Sequence, residues 1–143
     1  MIVATVLLLS TALVSYGKTG DRNAKLVKSL TTALQNSQAR EVQITSEFKR
    51  TSFLFNDKTV NAYFDVESND LVGFSLPASV SDLPAGVMET IGERYSNYQF
   101  LEAILFIHNS GNYSWFISMS RPKKPTIVLS INTQGKVRYY SKM

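Results

Sequence analysis

No cysteine occurs in the 143 residues, which removes disulfides, thiolate nucleophiles and cysteine-ligated zinc together. Histidine is almost as scarce. His108 is the single one, so a serine mechanism would have one base, and no Gly-x-Ser-x-Gly elbow presents a nucleophile to it. Ser110 and Ser114, close to His108 in sequence, read as turn and strand-surface hydroxyls. The 7 glycines are scattered and form neither a dinucleotide fingerprint nor a phosphate loop. Acidic residues are also few. The one dense group, Asp65, Glu67 and Asp70, lacks the spacing and the glycine of a calcium loop and reads as a solvated turn. Glu89 and Glu93 stand one helical turn apart on a polar helix face, where solvent explains them without glycosidase chemistry. These absences point to a protein that is not an enzyme and holds no metal or cofactor.

The charge balance, 15 basic against 11 acidic residues for a net +4, falls well short of a nucleic-acid footprint. The basic cluster Arg121, Lys123 and Lys124 is interrupted by Pro122 and bounded by Pro125, which suits an exposed loop. With 44% hydrophobic residues, the chain has the size and composition of one ordinary globular domain, stabilised by packing alone.

What is present begins with an apolar run from Ile2 to Val14, too short to span a bilayer comfortably and followed by small residues at Ser15 and Gly17. That is the pattern of a secretory leader over residues 1–17, with a short polar linker over 18–22. The mature chain is therefore expected in the periplasm or outside the cell, with no stable membrane span once the leader is removed.

From residue 23 the hydrophobic period alternates between helix and strand. Leu26, Val27, Leu30, Ala33 and Leu34 recur at helical spacing behind Asp21, a natural N-cap. Period-two runs follow around Val42 to Phe55, Val60 to Val66 and Leu71 to Leu76, separated by turns at Asn56 to Lys58 and Glu67 to Asp70. The order then repeats. Ser81 or Asp82 can cap, Pro84 suits a first helical turn, and Val87, Met88, Ile91 and Tyr95 share one face. Strands are expected at Leu101 to Ile107, Tyr113 to Met119, Thr126 to Ile131 and Val137 to Tyr140, with Gly135 able to take positive φ in the last turn. Ser52-Phe53-Leu54-Phe55 aligns with Ser114-Trp115-Phe116-Ile117, and Leu71-Val72-Gly73-Phe74-Ser75 with Val137-Arg138-Tyr139-Tyr140-Ser141. The reading is an α+β fold of two tandem helix-plus-antiparallel-sheet units, 23–80 and 81–143, with the helices on one face of the sheet. A pair buries more than one unit could.

Several local patterns carry a family likeness: Ala62-Tyr63-Phe64-Asp65, Asp70-Leu71-Val72-Gly73-Phe74-Ser75, Leu83-Pro84 before a helix, Arg94-Tyr95-Ser96-Asn97-Tyr98 and Tyr113-Ser114-Trp115-Phe116. They resemble the small exported PepSY-like proteins of Bacteroidota-type bacteria, described as similar to the β-lactamase inhibitor protein. The resemblance implies an extracytoplasmic location and a fold without known catalytic residues.

Strand alternation sends Phe53, Phe55, Phe64, Trp115, Ile117, Leu129 and Ile131 toward the helices. Their neighbours Leu54, Tyr63, Phe74, Phe116, Val128 and Tyr140, with Arg138, then form an apolar and aromatic outer face. Contiguous exposed apolar area marks an interface, so Leu54, Tyr63, Phe74, Phe116, Tyr140 and Arg138 are the candidate partner-binding residues, for an envelope protein or for self-association. A carrier of a small apolar ligand is the alternative, and a weak hydrolase a more distant one. Mass spectrometry of the native protein is expected to find a mature N-terminus near Lys18 in the envelope; an intact Met1 species in the cytoplasm would contradict export.

Overall fold

A computed structural model of the chain describes residues 20–38 and 40–142. The apolar leader read over residues 1–17 lies outside the described residues. No helix among those described is long and apolar enough to cross a membrane.

The helical period becomes α1, Gly20–Gln35. Residue 20 is already helical, so Asp21 is not the N-cap and residues 20–22 are not linker. Its buried stripe is Asn23, Leu26 and Leu30, spaced by three and four as one helix face requires. The helix ends where Ser37 donates from both its N–H and its hydroxyl to the Leu34 carbonyl, at 3.1 and 2.7 Å, a side-chain competitor for the helical bond.

Four strands follow, β1 Arg40–Gln43, β2 Phe48–Phe55, β3 Lys58–Asp65 and β4 Leu71–Ala78, hydrogen-bonded in chain order. β2 and β3 pair antiparallel from Phe48↔Asp65 to Phe55↔Lys58, which leaves Asn56 and Asp57 as a two-residue connection. Both have positive φ, 52° and 67°, as the hairpin turn matched to strand twist demands, and Asn and Asp tolerate that region best after glycine. At the next turn the Asp65 carboxylate accepts the N–H groups of Glu67 and Ser68 at 2.9 and 2.8 Å. The Ser68 N–H holds that carboxyl below its ordinary value, because it stabilises the charged form.

The β3–β4 ladder contains a bulge. Tyr63 pairs Gly73 and Phe64 pairs Leu71, so Val72 is an extra residue, and the side-chain parity of β4 reverses across it.

Past β4 a one-turn 3₁₀ helix spans Val80–Asp82, and the Asp82 carboxylate accepts the Ser79 N–H at 2.9 Å. The helix α2, Val87–Arg94, begins only after Gly86, whose φ is 83°. The start signals at Ser81 and Asp82 therefore serve this short turn rather than α2, while Pro84 follows it and its carbonyl accepts the Val87 N–H at 3.3 Å. β5 Gln99–His108, β6 Tyr113–Ser120, β7 Ile127–Ile131 and β8 Val137–Lys142 complete the described elements, again neighbours in chain order. Gly135 has the expected positive φ, 83°.

The chain divides into two compact units. One takes the residues up to Pro77 together with Phe106–Asn112; the other takes Ala78–Leu105 and the residues from Tyr113 onward. Each holds a helix and antiparallel strands, an α+β composition. The tip of β5 and its turn thus belong to the first unit, although sequence order sets them in the second half.

In the first unit, α1 approaches β2. Leu26, Leu30, Phe53, Val60, Ala62, Phe74 and Ile107 are buried, and the Asn23 side-chain amide, also buried, donates to the Gly111 carbonyl at 2.9 Å. In the second unit, α2 approaches β8, and Arg94 Nη1 donates to the Val137 carbonyl at 3.2 Å. Val87, Ile91, Trp115, Ile117, Leu129, Ile131 and Val137 are buried. Leu34 is only half-buried, in the last turn of α1. Leu30→Ala and Ile91→Ala are each expected to cost about 2–5 kcal/mol, while Leu34→Ala costs visibly less; urea denaturation checks all three, and a loss below about 0.5 kcal/mol at Leu30 or Ile91 would place those faces outside the core.

Candidate interaction surface

Several strands set a buried row against an open one. β6 shows the alternation most clearly, with Tyr113, Trp115, Ile117 and Met119 buried and Ser114, Phe116, Ser118 and Ser120 between them half-buried. β7 repeats it with Ile127, Leu129 and Ile131 buried. The open rows hold five of the six candidate partner-binding residues, Leu54, Tyr63, Phe116, Arg138 and Tyr140.

In the first unit the open row is anchored by Tyr63. Its ring lies 5.8 Å from that of Phe106, and its hydroxyl is 3.2 Å from the Ser75 hydroxyl. Tyr63 sits across the ladder from Gly73. A Cβ on Gly73 would fall 2.5 Å from the Ile107 carbonyl oxygen and 2.9 Å from Phe106 Cζ. Glycine is therefore what lets Phe106 and the β5 backbone close over this part of β4. Along the same row Ser52 donates to the Asn61 side-chain oxygen at 2.6 Å, and Arg50, opposite Tyr63, has a buried Nε without a hydrogen-bond partner among the described residues. Leu54 stands clear of these contacts at 69% exposure.

Phe74 does not belong to this surface. It pairs with Ala62 on the buried row, is 0% exposed and meets Phe53 edge-on at 6.1 Å between centroids. Counted from Leu71 opposite Phe64, Phe74 should face outward; the extra residue Val72 turns it inward. Phe55 and Phe64, assigned to the core, are half-buried.

In the second unit Phe116 and Tyr140 meet edge-on at 5.1 Å. Phe116 lies opposite Ser130, which lies opposite Arg138, and Ser118 faces the half-buried Val128. Tyr140 is the extra residue of a second bulge, since Leu129 pairs Tyr139 and Val128 pairs Ser141. It is 63% exposed, and Tyr139 on the other row is 55% exposed. Leu54, Tyr140 and Arg138 are thus open, and Tyr63 and Phe116 half-buried.

The remaining chemistry is local. His108 Nδ1 accepts the Ser110 N–H at 3.2 Å and lies 3.0 Å from the Ser110 hydroxyl, so the pair closes the Asn109 to Gly111 turn. All of these atoms are exposed. Burial pushes the Tyr113 phenol above its ordinary value, since desolvation disfavours the phenolate. Among the described residues no cluster of three His, Asp or Glu could hold a metal. The Arg121 guanidinium lies 4.9 Å above the Tyr98 ring, a cation–π contact that fixes the start of the basic loop. A depression of about 360 Å³ bordered by Leu101, Glu102, Ser118 and Thr126 is lined by the exposed side chains of Leu101 and Glu102, unlike the enclosed apolar site a carrier needs.

Alternation counted outward from buried Ile107 would have found Phe106. Nothing in sequence spacing signals the Arg121–Tyr98 contact.

No family model matches the chain, and no curated protein matches it. Solved structures do match. A DUF2874 family protein from Bacteroides uniformis superposes with a TM-score of 0.62 at 10% identity, covering 83% of this chain and 87% of that one. A DUF2874 family protein from Bacteroides ovatus gives 0.59 at 16% identity, over 82% and 85%. A BLIP-like protein from Bacteroides fragilis gives 0.57 at 11% identity, over 82% and 84%. The chain has a BLIP-like fold. The resemblance read from its turn and strand patterns therefore holds at the level of the fold, and at these identities the likeness shows the fold alone.

Within this BLIP-like fold the position of Phe106 depends on Gly73. Gly73→Ala sets a methyl group against a backbone carbonyl that cannot rotate away, and is expected to cost about 1–3 kcal/mol. Thermal unfolding with near-UV circular dichroism of the aromatic side chains checks it; an unchanged midpoint and spectrum would show that the strand relaxes freely.

Proposed function

We propose that this chain is a non-enzymatic, exported binding protein of the cell envelope that engages a protein partner through the open rows of its strands, with the helices closing the buried rows. The observation that carries the reading is the exposed apolar and aromatic content of those rows, Leu54 in the first unit and Tyr140 on Phe116 in the second. Aromatic residues and arginine anchor protein contacts because they bury much area at low entropic cost while keeping a polar tip. The fold shared with a BLIP-like protein supports the same direction, since the exported family that the turn and strand patterns resemble is likened to the β-lactamase inhibitor protein. The lone His108, tied to a neighbouring turn serine, supports a protein without catalysis.

The test uses exposed residues, whose replacement leaves packing almost untouched. Leu54→Ser and Tyr140→Ser are introduced separately and the chains used to capture partners from envelope extract. At least one variant is expected to lose a partner that the parent retains, with unfolding free energies within about 0.5 kcal/mol of the parent. Partner sets identical to the parent's in both variants would move the binding surface off the open rows; sedimentation of the isolated parent separates self-association from a foreign partner.

A further inference from the structure

β8 has one strand neighbour, β7, among the described residues, and its other edge is chemically distinctive. In an antiparallel ladder alternate residues turn N–H and C=O away from the neighbouring strand. The Val137 carbonyl accepts from Arg94, which marks Val137 as such a residue. Tyr139, two positions on, is the next, before the bulge at Tyr140. The two tyrosines stand exposed on opposite faces of this edge, 55% and 63% open. Each face also has a cation, Arg138 on the row of Tyr140 and Lys142 on the row of Tyr139, since Lys142 pairs with buried Ile127 and Tyr139 with buried Leu129. Arg94 and Lys136 add charge at the start of the strand, and residues 136–142 contain no acidic side chain.

We infer that the β8 edge is a docking site for an extended acidic segment of a protein partner, added as a further strand. The inference rests on the protein-binding reading above and names the partner's chemistry. Backbone pairing at Tyr139 supplies the register, the tyrosines cover the added strand on both faces, and the cations select its charge. The same cations exclude a second copy of the chain, because two β8 strands side by side would set Arg138 and Lys142 of one against those of the other. Charged residues and a bulge on an edge are the devices that block such self-pairing.

The experiment uses a fluorescein-labelled octapeptide of alternating valine and glutamate, its lysine counterpart and the full chain. Saturable binding of the glutamate peptide is expected, weakening as salt rises, with the lysine peptide at least about tenfold weaker. Tyr139→Pro removes one outward N–H without touching the β7 ladder and is expected to weaken binding by about tenfold, the loss of one buried backbone bond. Amide exchange of the unmutated chain reads the same contact even if that variant does not fold: the Tyr139 N–H exchanges freely in the isolated chain and becomes protected with the glutamate peptide. Equal binding of both peptides, no binding, binding without protection at Tyr139, or protection already present in the isolated chain each overturns the inference. Failure of the peptide while envelope partners are still captured, and lost in Leu54→Ser, overturns the edge alone; a bound peptide alongside unchanged partner sets in Leu54→Ser and Tyr140→Ser overturns the open-row reading alone.

Discussion

The two-residue period of the strands is the constraint on which the rest of this structure depends. Without a disulfide, the fold is held by the rows of side chains that its strands bury. In the second unit Trp115, Ile117, Leu129 and Ile131 do this at full burial, and in the first Phe53, Val60, Ala62 and Phe74. Committing one row to the core releases the other. Its composition is then free to answer to something besides stability, and here it carries Leu54, Tyr63, Phe106, Phe116 and Tyr140 among serines.

Two bulges decide where that rule gives the wrong answer. Val72 adds a residue to β4, so Phe74 turns inward while Gly73 and Ser75 on the open row are covered by Tyr63 and Phe106. Three consecutive buried residues erase the alternation that sequence reasoning relies on. Tyr140 is the corresponding extra residue in β8, but there it lies at an edge and stays exposed. The halves aligned from sequence therefore agree at β2 and β6, where Phe53 and Trp115 are both buried, and disagree at β4 and β8, where Phe74 is buried and Tyr140 is open.

Most elements were legible because their causes are local. Asn56-Asp57 requires positive φ, Gly135 supplies it, and the unbroken alternation of Tyr113 to Met119 admits one reading. The start of α2 was not legible, because Ser79 to Asp82 satisfy a cap in a 3₁₀ turn several residues ahead of the helix. Nor was the assignment of Phe106–Asn112 to the first unit, which rests on contacts distant in sequence: Gly73 against Ile107, Asn23 to Gly111, and Asn109 Nδ2 donating to the Leu71 carbonyl at 2.6 Å. Of the surface residues, Leu54, Tyr140 and Arg138 could be read from parity alone. Phe74 could not, since a single inserted residue reverses a strand.

The buried rows hold the fold, and under the proposed function the open rows meet the partner. Hydroxyl-radical footprinting of the chain, free and in complex with captured envelope protein, reads both at once through side-chain oxidation. Phe53, Phe74 and Trp115 are expected to stay unmodified in both states, while oxidation of Leu54 or Tyr140 is strong in the free chain and falls in the complex. Protection confined to the helix surfaces, or equal oxidation of the open rows in both states, would contradict that expectation.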